Sequence, residues 1–328
     1  MHKKITRRTF CSMLLALPFP AQAQQPARIL RIGILIPSSA SFILPRVEAF
    51  RRRLRGLGYV EGKNIVIEYR YAEGKLERLP DLAAELVRLK VDVIVTSGSP
   101  ALLAAKKAST TIPIVFAFAS DPVGTGIVSS LARPGGNITG LSTMGPDLDG
   151  KRLELLKEAF PKVARVAFLW GGSSGTRGNL PLTEMEAVAK ALGLKLLSLP
   201  VRSLDDFESV FARAKKERAQ ALITSANSLI ANQQRQVLDF AAKNRLPAMY
   251  PESEFVEAGG LMSYAPNYTD LYRRAADFVD KILKGTKPAE IPVEQPMKFE
   301  FIISLKAAKQ IGVTVEPNVL VRADKVIR

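Results

Sequence analysis

Short β-branched runs alternate with helical stretches along almost the whole chain, and that alternation restricts the fold to helices layered on mainly parallel sheets. Residues 29–36 read as a first buried strand, followed by a helix whose apolar face runs through Val47, Phe50, Leu54 and Leu57. Residues 64–71 alternate apolar and polar side chains as a second strand. A helix over 80–90 leads into a buried strand at 91–96, and a helix over 100–108 precedes a strand at 112–118. A weaker helix through Ile127 and Leu131 ends at Gly135-Gly136, and 138–141 is a fifth strand.

The pattern then restarts. A helix over 151–160 is followed by a strand at 163–170 and by a helix over 182–192 that lines up Leu182, Met185, Ala189 and Leu192. Residues 194–199 form a strand. Ser203 with Asp206 reads as a capping box opening a helix with Leu204, Phe207, Val210, Phe211 and Ala214 on one side. Strands at 221–224, 248–250 and 261–264, with a helix over 230–242, continue the alternation. At 328 residues and 47% apolar the chain exceeds one core and has material for two. The expected fold class is α/β: two doubly wound parallel-sheet lobes, joined without a long flexible linker, with a ligand cleft between them. In open sheets of this kind the ligand lies beyond the carboxyl ends of the strands.

Those strand ends carry a consistent chemistry. Ile36 is followed by Pro37-Ser38-Ser39, Thr96 by Ser97-Gly98-Ser99-Pro100, and Ala119 by Ser120-Asp121-Pro122. Ser99-Pro100 and Asp121-Pro122 each place a capping residue before a proline suited to the first helical position. Helix starts there present free N–H groups and the positive dipole end to a carboxylate. Ser38, Ser97, Ser99 and Ser120 add hydroxyl donors, although Ser99 and Asp121 read equally as plain caps. In the second unit Trp170, the only tryptophan, ends a strand before Gly171-Gly172-Ser173-Ser174. Its indole suits either stacking on a flat ligand or packing between domains. Asn227, Tyr250 and Tyr264 end further strands. Glu252 and Asp121 are candidate partners for a ligand ammonium group, with Glu254 behind Glu252.

Other chemistries lack support. His2 and Cys11, the only histidine and cysteine, sit in a segment with the anatomy of an exported leader. Its basic head holds Lys3, Lys4, Arg7 and Arg8, a short apolar run follows over 12–19, and Ala21-Gln22-Ala23 supplies a cleavage site. The expected mature chain, from Gln24, has no imidazole and no thiol, so zinc sites, disulfides and Ser-His or Cys-His nucleophile pairs are not expected. Arg7-Arg8 fits a twin-arginine signal as well as an ordinary secretory head. No apolar run reaches the roughly 20 residues that a membrane span needs. The formal charge of +16 includes four basic and no acidic residues up to Ala23, leaving +12. The basic residues are dispersed along helices, as in Arg51-Arg52-Arg53, Lys215-Lys216 and Arg273-Arg274, so they read as solvated faces and not as a nucleic-acid surface. Gly58 to Asn64 lacks the loop length and Ser/Thr of a P-loop, and Gly124-Thr125-Gly126 lacks the third glycine of a dinucleotide fingerprint. No cofactor or metal is expected, and the chain reads as a binder, not an enzyme. A hydrolase using Asp/Glu or a Ser-Lys pair in the cleft, and a receptor for a signalling partner, are the alternatives.

Three stretches carry a resemblance. They are residues 56–64 (GLGYVEGKN), Asp121-Pro122-Val123-Gly124 through Arg133-Pro134-Gly135-Gly136-Asn137-Ile138-Thr139-Gly140, and Gly259-Gly260-Leu261-Met262-Ser263-Tyr264. On these the chain resembles the substrate-binding proteins of bacterial ABC transporters, specifically the family that includes tryptophan and tyrosine binders. The resemblance runs from about Arg31 to Arg328, with Ala265 standing where the family would have glycine. It implies a type I periplasmic-binding fold with three crossover segments, and a helix over 268–284 that returns to the first lobe. The implied lobes are 28–143 with 266–296, and 144–265 with 297–328. It also implies a monomeric periplasmic receptor for a small molecule, such as an aromatic amino acid or similar carboxylate, with a membrane permease and its ATPase as partners.

Overall fold

The computed structural model describes residues 29–172 and 180–328. The leader expectations at 1–23, including His2, Cys11 and cleavage after Ala23, lie outside the described residues, as do Ser173 and Ser174.

Five strands, β1 (Leu30–Ile36), β2 (Ile65–Tyr71), β3 (Val93–Ser97), β4 (Ile114–Ala119) and β5 (Ile138–Ser142), form a parallel sheet in the order β2-β1-β3-β4-β5. Helices α1 (Ala40–Gly56), α2 (Leu79–Arg88) and α3 (Gly98–Ala108) cover it. Because side chains alternate across a strand, β1 feeds two cores. Ile32, Ile34 and Ile36 pack with α1, while Leu35 packs with α2 and α3. That double burial is why the strand is unbroken by polar residues from Ile32 to Ile36.

The second sheet holds β6 (Arg165–Gly171), β7 (Lys195–Val201), β8 (Ala221–Thr224), β9 (Ala248–Tyr250), β10 (Met262–Pro266), β11 (Phe299–Ser304) and β12 (Lys325–Ile327). Their order is β12-β11-β10-β9-β8-β6-β7, and every pair is parallel except β10 with β11. Its helices include α4 (Gly145–Ala159), α5 (Leu180–Ala191), α6 (Asp206–Lys216), α7 (Ser228–Asn232), α8 (Gln234–Lys243) and α9 (Ser253–Glu257). Helix α10 (Tyr268–Leu283) follows β10 yet packs on the first sheet, burying Tyr268, Leu271, Tyr272, Ala275 and Val279 against α1 and the strands around β4. The chain therefore passes between the lobes after β5, after β10 and before β11, the arrangement of type I periplasmic-binding proteins.

Three local expectations are corrected. The stretch through Ile127 and Leu131 is not helical but a series of turns. Gly126, Gly135 and Gly136 all have positive φ, and Lys106 Nζ holds the carbonyls of Gly126 and Ile127 at 3.2 and 2.9 Å. Half of the expected capping box forms: the Asp206 carboxylate accepts from the N–H groups of Ser203 (3.0 Å) and also Arg202 (2.6 Å), but the helix begins at Asp206 itself, with Asp205 as its N-cap. Those backbone bonds, from Arg202 first, hold the Asp206 carboxyl below its ordinary value. The helix expected over 230–242 is divided into α7 and α8 at Gln233.

Candidate functional site

A cavity of about 640 Å³ lies between the lobes. The first lobe supplies Ser38, Ser97, Ser99 and Ser120 from the ends of β1, β3 and β4; the second supplies Gly171, Gly172, Asn227, Ser228 and Glu252. Phe42, Phe118, Leu76, Leu79 and Leu103 form its apolar wall.

Helix geometry gives the first-lobe wall its polarity. Helix α3 starts one residue beyond Ser97, which is its N-cap, fully buried and extended, with no side-chain cap bond. Ser99 and Pro100 thus sit inside the first turn, two positions further into the helix than the spacing suggested. Helix α1 likewise starts after Ser39 without a side-chain cap bond. Two helix N-termini with uncapped backbone donors therefore border one cavity, an arrangement that favours an anion.

The second-lobe wall is acidic. Glu252 is buried and bonded to Arg46, which reaches from α1 and also bonds Glu254 through its Nε at 2.7 Å. Arg46 is 1% exposed and lies 4.4 Å from the ring centre of Tyr268 and 5.2 Å from that of Phe42. Burial pushes the Glu252 carboxyl above its ordinary value, against the pull of Arg46. One guanidinium thus serves both carboxylates at the edge of the cavity. Arg46 is a cavity residue that the strand-end reading missed. The signal was present: Arg46 sits one turn after Phe42 and one before Phe50, on the apolar side of α1 where a charge needs a partner.

Of the nine candidate residues, Ser38, Ser97, Ser99, Ser120, Asn227 and Glu252 line the cavity, while Asp121, Trp170 and Tyr250 do not. Asp121 shapes a turn instead, its Oδ1 accepting from the N–H of Gly124 at 2.9 Å, and faces a smaller pocket beside Asp147 and Glu184. No helix follows Pro122, so the expected helix-start role there is also corrected. Tyr250 is buried in the core, stacked on Phe255 with ring centres 4.8 Å apart. Asn227 does two things: it lines the cavity and caps α7, accepting from the N–H of Leu229 at 2.8 Å.

Trp170 is the largest correction. Its indole is 4% exposed, stacks on Phe168 and donates from Nε1 to Ser198 Oγ at 2.9 Å. The strand continues through Gly171, so Trp170 remains paired, opposite Pro200, and its face of β6 is the one that packs on Met185 and Leu153. Tyr264 packs in the same core, against Phe299 and Phe301. Trp170 emission should therefore stay unmoved when a ligand fills the cleft. Trp170→Ala should cost about 3–5 kcal/mol of stability, the usual range for a buried aromatic. A ligand-dependent emission shift would return the indole to the cleft.

Among the described residues, no cluster of three or more His, Cys, Asp or Glu side chains is arranged to hold a metal, and no helix is long and apolar enough to cross a membrane.

A model of the family described as ABC transporter substrate binding protein matches residues 31–327. A tyrosine-binding protein of Clostridioides difficile is 26% identical over 264 residues, covering 80% of this chain and 75% of that protein. Among solved structures, a conserved domain protein of Vibrio cholerae superposes with a TM-score of 0.84 at 26% identity, over 91% of this chain and all of that one. An ABC domain of Streptococcus pneumoniae in complex with L-tryptophan superposes with a TM-score of 0.81 at 27% identity, over 90% of this chain and all of the other.

Proposed function

The chain belongs to the ABC transporter substrate binding protein family, and we propose that this solute-binding receptor captures an aromatic amino acid or a similarly flat zwitterion. The observation that carries the ligand class is the polarity of one cavity. Uncapped helix N-termini and serine hydroxyls suit a carboxylate, an acidic cluster suits an ammonium, and Phe42, Phe118, Leu76 and Leu103 suit a flat apolar body. The tyrosine-binding and L-tryptophan-bound relatives support the same class. The receptor works outside the cytoplasm, after removal of residues 1–23, and delivers its ligand to a membrane permease coupled to an ATPase. Closure of the lobes buries the solute, and the closed form is what the permease reads.

Calorimetry with L-tryptophan, L-tyrosine and their deamino analogues tests this reading. The amino acids should bind, and each analogue should bind more weakly because the acidic cluster then goes without its cation. Ser97→Ala or Ser120→Ala should each cost about 1.5–3 kcal/mol, the range for a hydrogen bond to a charged group, or about one to two decades in affinity. Tight binding of a solute with neither aromatic ring nor carboxylate, with none of either amino acid, would overturn the ligand class.

A further inference from the structure

We propose that Arg46 is a positioning residue that couples ligand capture to lobe closure. It is a first-lobe guanidinium that seats two second-lobe carboxylates, Glu252 and Glu254, beside the cavity. The proposal rests on the solute-receptor reading above, but its first measurement needs no ligand.

The geometry has three parts. First, Arg46 projects from α1, within the core built on β1 and α10, while Glu252 and Glu254 flank the start of α9 in the other lobe. Their bonds exist only when the lobes meet, and they join residues more than 200 positions apart. Second, the guanidinium is held before it meets the carboxylates. The rings of Phe42 and Tyr268 flank it, and both belong to the first lobe's elements. Third, two neighbouring contacts between the lobes are uncharged. The Ser39 N–H donates to Asn232 Oδ1 at 3.0 Å, and Leu76 packs against the second-lobe core.

A buried ion pair adds little net energy over two hydrated ions, but losing one partner leaves an uncompensated charge that cannot stay buried. The pair therefore acts less as glue than as a condition on closure: the lobes can meet fully only in the register that gives both carboxylates their guanidinium. Because Arg46 and Glu252 also line the cavity, the same contact sets the shape of the wall that the ligand meets. An arginine is needed here, since a planar fork can serve two carboxylates at once where an ammonium offers a point charge.

Small-angle scattering on the full chain without ligand tests this. Arg46→Met should have a larger radius of gyration than the wild type, because the pair draws part of the ligand-free population into the closed form. Adding Glu252→Gln and Glu254→Gln to Arg46→Met should move it back toward the wild-type value, because no unpaired charge is then buried. Glu252→Lys, exposed in the open form and facing Arg46 only on closure, should also open the receptor and keeps the test available if Arg46→Met does not fold. With L-tryptophan as the probe, Arg46→Met should bind about 100-fold more weakly, through faster dissociation and not slower association. A wild-type radius in both ligand-free single variants overturns the proposal. If those variants open as expected but no aromatic amino acid binds even the wild type, the closure role of Arg46 stands and the ligand class fails.

Discussion

Gly140→Ala should destabilise the protein by about 4 kcal/mol or more, in the range reserved for a named structural conflict. Gly140 lies in β5 opposite Phe116 of β4, buried, with φ at +154°. A Cβ there would overlap the Phe116 carbonyl oxygen and stand 2.6 Å from its ring Cγ. The obstacle is backbone, so no rotamer change relieves it, and the two strands would have to part. They lead directly into the cleft, since Ser120 follows the last residue of β4 and β5 runs on to the first crossover. Gly56→Ala is the matched comparison, because a Cβ at the end of α1 meets nothing within 4 Å and removes the helical penalty of glycine. Urea unfolding should show a large drop for the first and none for the second. A Gly140→Ala midpoint equal to wild type would mean that β4 and β5 are not paired at this register.

Arg152→Met should cost about 3–5 kcal/mol, the penalty for leaving the partner of a buried ion pair unpaired. Arg152 is 1% exposed in α4, donates to Asp149 Oδ1 at 2.6 Å and to the Tyr264 carbonyl at 2.7 Å, and so ties the first helix of the second lobe to β10. Asp149 gives the site a pH signature. Burial pushes its carboxyl up to about 6 from an ordinary 3.8, with Arg152 pulling the other way. A carboxyl that holds its proton more tightly when folded makes stability fall as pH rises, between about 4 and 6, and leaves it level on either side. A shift of about two units corresponds to about 3 kcal/mol across that window. Asp149→Asn should remove this slope, so the difference between its unfolding profile and that of the wild type isolates the group. Removing Arg152 should carry the fall to higher pH. Identical profiles for wild type and Asp149→Asn would show that Asp149 is hydrated like a surface carboxylate.

What was legible in the sequence was local. Runs such as those now seen as β1, β3 and β4 announce buried strands by being apolar on both faces, and the Ser/Gly/Pro that ends each one marks where the sheet edge opens. Since ligands of such sheets lie beyond those edges, Ser38, Ser97, Ser99 and Ser120 could be named before any coordinates, and all four line the cavity. The helix expected through Ile127 and Leu131 misled for the opposite reason: two apolar residues four apart are a weak periodic signal beside the glycines and prolines around them.

The tertiary structure alone decided where the side chains point and which charges meet. Trp170 sits at a strand end in sequence, but the parity of β6 turns its indole into the core with Phe168, and one further paired residue, Gly171, is enough to keep it there. Asn227 lines the cavity, while Tyr250 of neighbouring β9 stacks beneath α9, a distinction set by packing and not by position along the chain. The Arg46 cluster lay furthest from view. Its members are ordinary charged residues in their own segments, and what makes them a site is the burial that forces one guanidinium and two carboxylates from different lobes into a single contact. Hydrophobic periodicity determines which segments become strands and helices, because it is satisfied within a few residues. Desolvated charge is satisfied only by whatever the closed fold brings to it.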